Sequence, residues 1–445
     1  MLPCSVIRSG VTKECTLKDG NNETASKATL AGGWDGGMGM LSHKCSLLVP
    51  ITSFVILWLG ANECLAQGPI AEFQKIVRDK AAFAESDLTA LDQGETVIKL
   101  LPARDKREIA MCGAVHLQAS AEMFLQSFRE NMTRKSSPAI LEIGSFRNPP
   151  SLDDLQALTI EERDIEDLRH CVVGDCRLKL SATMIERLQG EVDWTATDYR
   201  IQVTQILKQM LVDYVRDYLG RGDAALIQYD DKWKAIRLAD EQDELLAASS
   251  YDSLADAKEN ARSFSKPDVT LIDNVLVWSK IKFGLKPVFA INHIMIYKRA
   301  QKAGAEMLII SKQIYANHYF DSSLALTAFL NIPGPPPKSY LLYEHRSRVD
   351  GLEGPFSKIK RGLIEDKAVK SLESILHQSQ VMLDARALSV ADSSAAPTAL
   401  GRNWKRWRLG RLHFFVLLLW VTAFAMLIGV RAYGWKGRIS QSRNY

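Results

Sequence analysis

Ionisable side chains recur inside the predicted β-strands in the C-terminal half of the chain. Lys280, His293, Lys312 and His318 stand among Val, Ile, Tyr and Phe residues, and Arg346 does so in the last such run. Alternate residues of a strand line one face of a sheet, so a face that bounds a cavity would bring some of these groups together. There they could hold the polar head of a ligand, or a histidine could act as a general base. The predicted ligand contacts are Lys280, His293, Lys312, Tyr315, His318 and Arg346.

Strict alternation also divides these residues between the two faces of their strands. Lys312 and His318 should share one face, with Tyr315 on the opposite one. Alternation does not bring all three of the strand histidines, His293, His318 and His345, to one face, so it predicts no metal site. No cofactor is expected either.

No catalytic signature stands out in the sequence. It has no Walker loop, no G-x-G-x-x-G after a strand, no H-E-x-x-H, no C-x-x-C and no G-x-S-x-G. The sequence therefore predicts no particular reaction, and whether the protein is an enzyme stays open.

The hydrophobic pattern predicts the elements that would position these residues. Five runs between 274 and 349, each bounded by Gly, Pro, Lys or Ser, indicate an antiparallel meander. The earlier elements are predicted as a helix at 70–92, strands at 95–102, 107–118 and 139–146, a helix capped by Ser120, and mostly helical structure over 151–250. A long amphipathic helix follows the meander. Its apolar residues are predicted on one side: Phe356, Ile359, Leu363, Leu372, Ile375 and Leu383.

Two stretches carry a resemblance to a known superfamily. "GAVHLQASAEMFLQSF" resembles the first strand and following helix of the START-like, or helix-grip, domains, and "LLYEHRSRVDGLEGPFSKIKRGLIEDKAVKSLESILHQ" resembles their last strand and closing helix. The resemblance implies an α+β fold in which a curved antiparallel sheet grips a long C-terminal helix around an apolar cavity. Residues 151–250 are then a helical insertion, and the cavity is expected between the strands at 275–349 and the helix at 356–383, with Lys312, His318 and Arg346 near the ligand head.

The N-terminal region has the pattern of a secretory signal beginning at Met40. Lys44 provides a positive charge, about thirteen mostly apolar residues follow at 47–59, and Cys64-Leu65-Ala66 forms a small-x-small cleavage site. We therefore predict a signal peptide at 40–66. Residues 1–39 show no apolar period and are predicted to be a disordered, over-extended start of the reading frame.

The C-terminal region predicts a membrane anchor. Residues 412–430 are almost all apolar, and as a helix they would measure about 28 Å, close to the roughly 30 Å hydrocarbon core of a bilayer. The aromatic residues that flank this run are Trp404, Trp407, Tyr433 and Trp435. Residues 386–411 are predicted as a linker and basic juxtamembrane segment, and 431–445 as a cytoplasmic tail. The signal peptide then places the body, 67–385, on the periplasmic side of a single-pass membrane protein.

Three cysteines remain after removal of the signal peptide. Cys171 and Cys176 flank a Gly174-Asp175 turn, and in an oxidising compartment this spacing predicts a disulfide, with free thiols as the alternative. Cys112 lies in a predicted buried strand and is expected to be inert.

Composition restricts the partners. The chain is 47% hydrophobic and 24% charged with a formal net charge of +4, and most of the surplus basic charge lies in the last thirty or so residues. This distribution favours a membrane surface over nucleic acid. The leading prediction is an anchored, exported domain that binds or shuttles a hydrophobic, lipid-like ligand. The alternatives are an enzyme of the same fold with a strand histidine as base, and an envelope scaffold whose helical insertion docks a membrane-protein partner.

Overall fold

The computed structural model describes residues 83–135, 137–249, 269–284, 286–299, 305–332, 338–354 and 356–394. The predicted signal peptide at 40–66 and the predicted membrane helix at 412–430 lie outside these ranges. Within them, no helix combines the length and the apolar character needed to cross a membrane.

A large antiparallel sheet dominates the described chain. Its strands are β1 (Val97–Leu100), β2 (Glu108–Leu117), β3 (Ile140–Ser145), β6 (Val269–Ile281), β7 (Val288–Arg299), β8 (Ala305–Ala316), β9 (Phe320–Ile332) and β10 (Lys338–Val349). Their order in the sheet is β1-β2-β10-β9-β8-β7-β6-β3, with every neighbouring pair antiparallel. The five predicted C-terminal runs are thus five consecutive, hydrogen-bonded strands.

Three helices lie outside the segment between β3 and β6 and accompany the sheet. They are α1 (Glu85–Asp92), α2 (Ala121–Asn131) and α7 (Ser357–Ser394). Ser120 caps α2 as predicted, because its Oγ accepts a hydrogen bond from the backbone N–H of Met123 at 3.3 Å. At 1.5 Å per residue, α7 is about 57 Å long. The predicted α+β class, with a large antiparallel sheet and a long helix near the C-terminus, is confirmed.

The helical insertion separates β3 from β6. It contains α3 (Glu162–Arg169), α4 (Ala182–Glu191), α5 (Tyr199–Arg221), α6 (Leu238–Ala248), two short 3₁₀ turns, and a two-residue hairpin of β4 (Gln228–Tyr229) and β5 (Ile236–Arg237). Its apolar residues share one core with Leu276, Trp278, Phe289, Ile291 and Tyr315 of the sheet. The insertion therefore packs directly on the sheet.

The two faces of the sheet have different partners. We call the face that α2 and α7 cover the inner face; Met111, Val115, Phe329 and Tyr343 point to it and share one hydrophobic core with Leu372 of α7. We call the opposite face the outer face. The insertion covers its β6–β8 part, and α1 and the end of α6 cover its β1–β2 and β9–β10 part.

The buried side of α7 differs from the prediction. Phe356, Ile359 and Leu363 are exposed, whereas Leu372, Ile375 and Leu383 are buried as expected. The residues of α7 that face the sheet recur at spacings of three to four: Ile364, Ala368, Leu372, Ile375, Leu376, Ser379 and Leu383. The helix therefore has apolar side chains on two opposite sides at its N-terminal end, and the pattern alone could not say which side is buried.

Candidate functional site

Five of the six predicted ligand contacts lie on the outer face. Lys280 of β6, His293 of β7, Lys312 and Tyr315 of β8, and Arg346 of β10 are all buried there. The helix α7 covers the inner face, so the thickness of the sheet separates these residues from it. The expected cavity between α7 and the strands therefore contains neither Lys312 nor Arg346.

A β-bulge in β8 overturns the predicted faces of Lys312 and Tyr315. Tyr315 pairs with Ile291, but Gln313 pairs with Asn292, so Ile314 is an extra residue without a partner position. Such a residue shifts the alternation by one. Lys312 and Tyr315 consequently share the outer face, although strict alternation had placed them on opposite faces.

His318 lies beyond the end of β8 and contacts the insertion. Its Nε2 is 3.0 Å from a carboxylate oxygen of Asp164 on α3, and Lys286 Nζ donates to the same carboxylate at 2.7 Å. Burial would raise the pKa of Asp164, but the hydrogen bonds and charges of His318 and Lys286 outweigh it and hold that pKa below its usual value. His318 thus anchors α3 to the sheet.

Lys280 also serves the contact between sheet and insertion. Its Nζ donates to the carbonyl oxygen of Thr159 at 2.9 Å and lies 2.5 Å from a carboxylate oxygen of Glu161. Next to it is a cleft with room for about one or two water molecules. Its lining includes Asp164, Leu207, Leu211, Lys280, Phe289 and Tyr315. This space is too small for a lipid chain.

Both ring nitrogens of His293 have partners. Nδ1 is 2.8 Å from the hydroxyl of Tyr218 on α5, and Nε2 contacts the side-chain oxygen of Asn274. Burial, with a smaller effect of the nearby Lys312 charge, lowers the pKa of His293 to about 3. Lys312 itself pairs with Asp223. His293 is therefore neutral and fully engaged in holding α5.

Both arginines of β10 pair with carboxylates. Arg346 Nη1 donates to Glu108 at 2.6 Å and its Nε to Glu344 at 2.7 Å. Arg348 reaches Glu241 of α6 at 2.5 Å. These arginines thus neutralise carboxylates of β2, of β10 itself and of α6 in the insertion.

A buried ionic cluster escaped prediction. Lys179 Nζ, between α3 and α4, donates to Asp321 at 2.7 Å and lies 2.9 Å from Asp350, while Arg107 donates to Asp321 at 2.8 Å. Burial raises the pKa of Asp321, although the charges of Lys179 and Arg107 oppose that rise. Lys179 and Asp321 are 142 positions apart. No local spacing could have revealed this contact between the insertion and the sheet.

Polar residues also cluster on the inner face, in a row that crosses β6 to β10. We call this set the inner polar cluster: Ser279, Asn292, Ser311, Gln313, Ser323, His345 and Ser347. All are buried, and cross-strand pairs such as Asn292 with Gln313 and Ser347 with Ser323 place them side by side. They are surrounded by the aliphatic and aromatic residues of the inner core.

Several polar atoms of the inner polar cluster lack a hydrogen-bond partner among the described residues. These atoms are His345 Nδ1, Gln313 Nε2 and Ser279 Oγ. The other ring nitrogen of His345 is 3.1 Å from Ser323 Oγ, and burial lowers the pKa of His345 to about 3. An unpaired buried polar atom costs about 1–3 kcal/mol. Three of them on an otherwise apolar face make this cluster the candidate functional site.

The sequence contained one signal for this site. His345 follows Tyr343 by two positions, so strand alternation predicts that both residues share one face. Arg346 is then predicted on the opposite face. The charged residues of β10, Glu344, Arg346 and Arg348, lie on the other face. Asn292, Ser311 and Ser323 carry no charge and have no pattern that distinguishes them from ordinary strand residues.

The cysteines occupy the insertion and the sheet. Cys171 and Cys176 are joined in a disulfide with Cα atoms 4.5 Å apart, and Cys112 is buried in β2. Across the described ranges, no group of three or more His, Cys, Asp or Glu side chains is arranged to hold a metal ion.

Comparison with known proteins adds no relative. No protein-family model matches the sequence, and no curated protein matches it.

Proposed function

We propose that the protein is a membrane-anchored, exported domain that binds a hydrophobic, lipid-like ligand between the inner face of the sheet and α7. The observation that carries this proposal is the set of unpaired atoms His345 Nδ1, Gln313 Nε2 and Ser279 Oγ inside an apolar core. Binding sites for such ligands are mostly apolar with a few placed polar groups. A ligand head between β8 and β10 would supply hydrogen bonds to Gln313 Nε2 and His345 Nδ1. Ser279 lies four strands from His345, about 19 Å away, and would meet another part of the ligand.

The strand order supports a helix-grip architecture. β1, β2 and β3 come first in the chain, yet β1 and β2 lie on one side of the five consecutive strands β6–β10 and β3 lies on the other, and α7 follows β10 in the chain. An antiparallel sheet followed by one long helix on its inner face agrees with the proposed START-like fold. The predicted signal peptide and membrane helix provide the proposed export and anchor.

The proposed ligand site can be tested with two matched histidine variants. Full-length protein, extracted gently from membranes, should carry a lipid that mass spectrometry identifies. His345→Leu combined with Gln313→Leu should lower the amount of that lipid several-fold, because it removes the polar groups that hold the head. His293→Leu changes the same residue type on the outer face and should leave the lipid content unchanged.

Two results would contradict this proposal. One is a parent protein without bound lipid. The other is equal lipid content in the inner-face and outer-face variants, provided both remain folded.

Catalysis by a strand histidine has weaker support. A general base works best when its pKa is close to the working pH, and burial lowers the pKa of both His293 and His345 to about 3. His318 is held by the carboxylate of Asp164.

One observation favours partner docking by the insertion as a second candidate function. The disulfide loop and the β4–β5 hairpin together expose Val172, Val173 and Trp233, the last at 91% exposure. Backbone hydrogen bonds from Gly174 and Cys176 to the hairpin hold this tip in place. Trp233→Ser should abolish cross-linking to a membrane-protein partner if the tip docks one, whereas Ile201→Ser elsewhere on the insertion should not.

A further inference from the structure

A strip of small side chains crosses the inner face from β6 to β10. Its cross-strand pairs are Ser279 with Ala290, Ala290 with Ala316, Ser311 with Ala325, Ala325 with His345, and Ser323 with Ser347. We call it the small-residue strip, because most of these side chains end at Cβ or Oγ. Larger residues of the inner core flank it, such as Ile309 and Tyr343 on one side and Val288 and Val349 on the other. Over four strand spacings, the strip is therefore a low band about 19 Å long between rows of bulkier side chains.

Three buried side chains on this strip have a polar atom without a hydrogen-bond partner among the described residues. They are Ser279 at one end, Gln313 in the middle and His345 at the other end. None of the three is more than 2% exposed. Small side chains alone do not indicate a ligand, but unpaired buried polar atoms beside them do, because each such atom lowers stability until something binds it.

Every side chain of the strip is uncharged. Its residues are Ala and Ser together with Asn292, Gln313 and His345, and burial lowers the pKa of His345 to about 3. Charged groups of the inner side lie at its ends and are paired: Asp273 with Arg129, Lys298 with Glu122, and Arg361 with Glu365. Asp273 and Lys298 are each six residues along their strands from the strip, or about 20 Å. The strip therefore has no charge to offer a ligand.

This neutrality restricts the head of the ligand. A phosphate or carboxylate held here would be buried without a counter-charge, which is far less favourable than burying a neutral group that forms hydrogen bonds. The outer face shows that buried ions in this protein have partners, since Lys312 pairs with Asp223 and Arg346 with Glu108. A neutral head needs hydrogen bonds only. The amide nitrogen of Gln313 is a donor, so the head must present an oxygen acceptor to it.

We propose that the inner-face site binds an uncharged lipid whose head carries hydroxyl and ester oxygens, of the diacylglycerol class, and discriminates against lipids with anionic heads. The inference rests on the proposed ligand site and names the class of its ligand. Gln313 and His345 lie two strand spacings apart, about 10 Å, a gap that a glycerol ester head and these two long side chains can bridge together. The acyl chains then extend along the rest of the strip toward β6.

Lipid exchange into the full-length protein tests the proposal with two lipids that differ only in a phosphate group. The protein is equilibrated in mixed micelles of phosphatidylcholine and mild detergent that contain equal amounts of diacylglycerol and phosphatidic acid with the same acyl chains. Mass spectrometry measures each lipid on the parent and on the variant with His345→Leu and Gln313→Leu. The difference between the two proteins is the lipid held by the site and not by the predicted membrane anchor. We expect this difference to contain at least about tenfold more diacylglycerol than phosphatidic acid.

A charge introduced into the strip should change this preference. Gln313→Lys supplies the counter-charge that a phosphate lacks, so the excess of diacylglycerol over phosphatidic acid should fall several-fold or reverse. Gln313→Met has a side chain of similar length without charge and should still disfavour phosphatidic acid. Protection of the buried Cys112 thiol against labelling shows that each variant is folded. If the lysine variant exposes Cys112, the parent alone decides between the two lipids.

The outcomes separate this inference from the proposed function. Site-bound phosphatidic acid or phosphatidylcholine that equals or exceeds diacylglycerol overturns the inference and keeps a lipid-binding domain. Equal amounts of every lipid on the parent and on the double variant overturn both. A diacylglycerol excess that His293→Leu on the outer face leaves unchanged, and that Gln313→Lys abolishes, supports both.

Discussion

The two faces of the sheet both bury polar side chains, but they satisfy them differently. On the outer face the charged groups meet opposite charges, as Lys280 meets Glu161 and Arg346 meets Glu108, and both nitrogens of His293 are occupied. On the inner face His345 and Gln313 each keep an unpaired nitrogen. The outer face has exceptions, such as Ser322 Oγ and Arg348 Nε, but Arg348 is already held by two carboxylates.

This difference distinguishes polar groups that hold the fold together from polar groups that could bind a ligand. A polar group whose partners come from the protein itself fastens one element to another, and here it fastens the insertion to the sheet. A polar group without such a partner lowers stability unless something else binds it. Perturbed ionisable residues are often taken as signs of function, yet in this protein the charged residues hold the fold together and uncharged residues form the better candidate site.

The largest expected effect comes from breaking the buried ionic cluster of Lys179, Asp321, Asp350 and Arg107. Asp321→Ala leaves Lys179 and Arg107 without their shared buried partner, which should lower the free energy of unfolding by about 3–5 kcal/mol. Denaturant unfolding of the full-length protein in mild detergent measures it. Glu191→Ala, which breaks the exposed pair with Arg187, is the control and should cost less than about 0.5 kcal/mol. Equal losses would mean that the buried cluster is not structural.

Acid should destabilise both faces through their buried histidines. Burial holds the pKa of His293 and of His345 near 3, against an ordinary value of 6.5, so the unfolded chain binds more protons between these limits. The contribution of these histidines to the free energy of unfolding is therefore fully present above pH 6.5. It falls as the pH drops below that value, by about 1.4 kcal/mol per pH unit for each histidine. His293→Leu should remove the part of this pH dependence that His293 contributes, about 1.4 kcal/mol per pH unit. An unchanged slope in that variant would show that His293 is not buried in its neutral form.

Replacing each histidine by leucine should distinguish the faces directly. His293→Leu leaves the Tyr218 hydroxyl and Asn274 without their partner and should cost about 1–3 kcal/mol. His345→Leu removes an unpaired nitrogen and only one hydrogen bond, that between Nε2 and Ser323 Oγ, so it should cost less than His293→Leu, about 1 kcal/mol. Thermal unfolding of the delipidated variants measures both. A larger loss for His345→Leu would reverse the assignment of the two faces.

The smallest expected effect is at Ser279. Its buried Oγ has no partner in the described structure, so Ser279→Ala should leave the unfolding midpoint unchanged or raise stability by up to about 1 kcal/mol. Ser120→Ala provides a contrast, since it removes the cap of α2 and should cost about 1 kcal/mol. Clear destabilisation by Ser279→Ala would mean that this hydroxyl has a partner, such as bound water.

The sequence predicted the elements better than it predicted the site. The meander, the long C-terminal helix and the Ser120 cap all follow from local patterns, because strand alternation and capping act over a few residues. The face of the sheet on which a residue lies was harder to predict, since one extra residue at Ile314 changes the side to which Tyr315 points. The partners of Lys179 and His318 could not be predicted at all. They lie more than a hundred positions away, and only the completed fold brings them together.

The pairing of β2 with β10 has a consequence for how the protein is made. Ser339 lies opposite Leu117, so these neighbouring strands are joined only after more than two hundred further residues have been synthesised. β3 likewise waits for β6, which follows the whole insertion. Contacts this distant in sequence close late and slowly. A growing chain therefore has no complete sheet until β10 has left the ribosome.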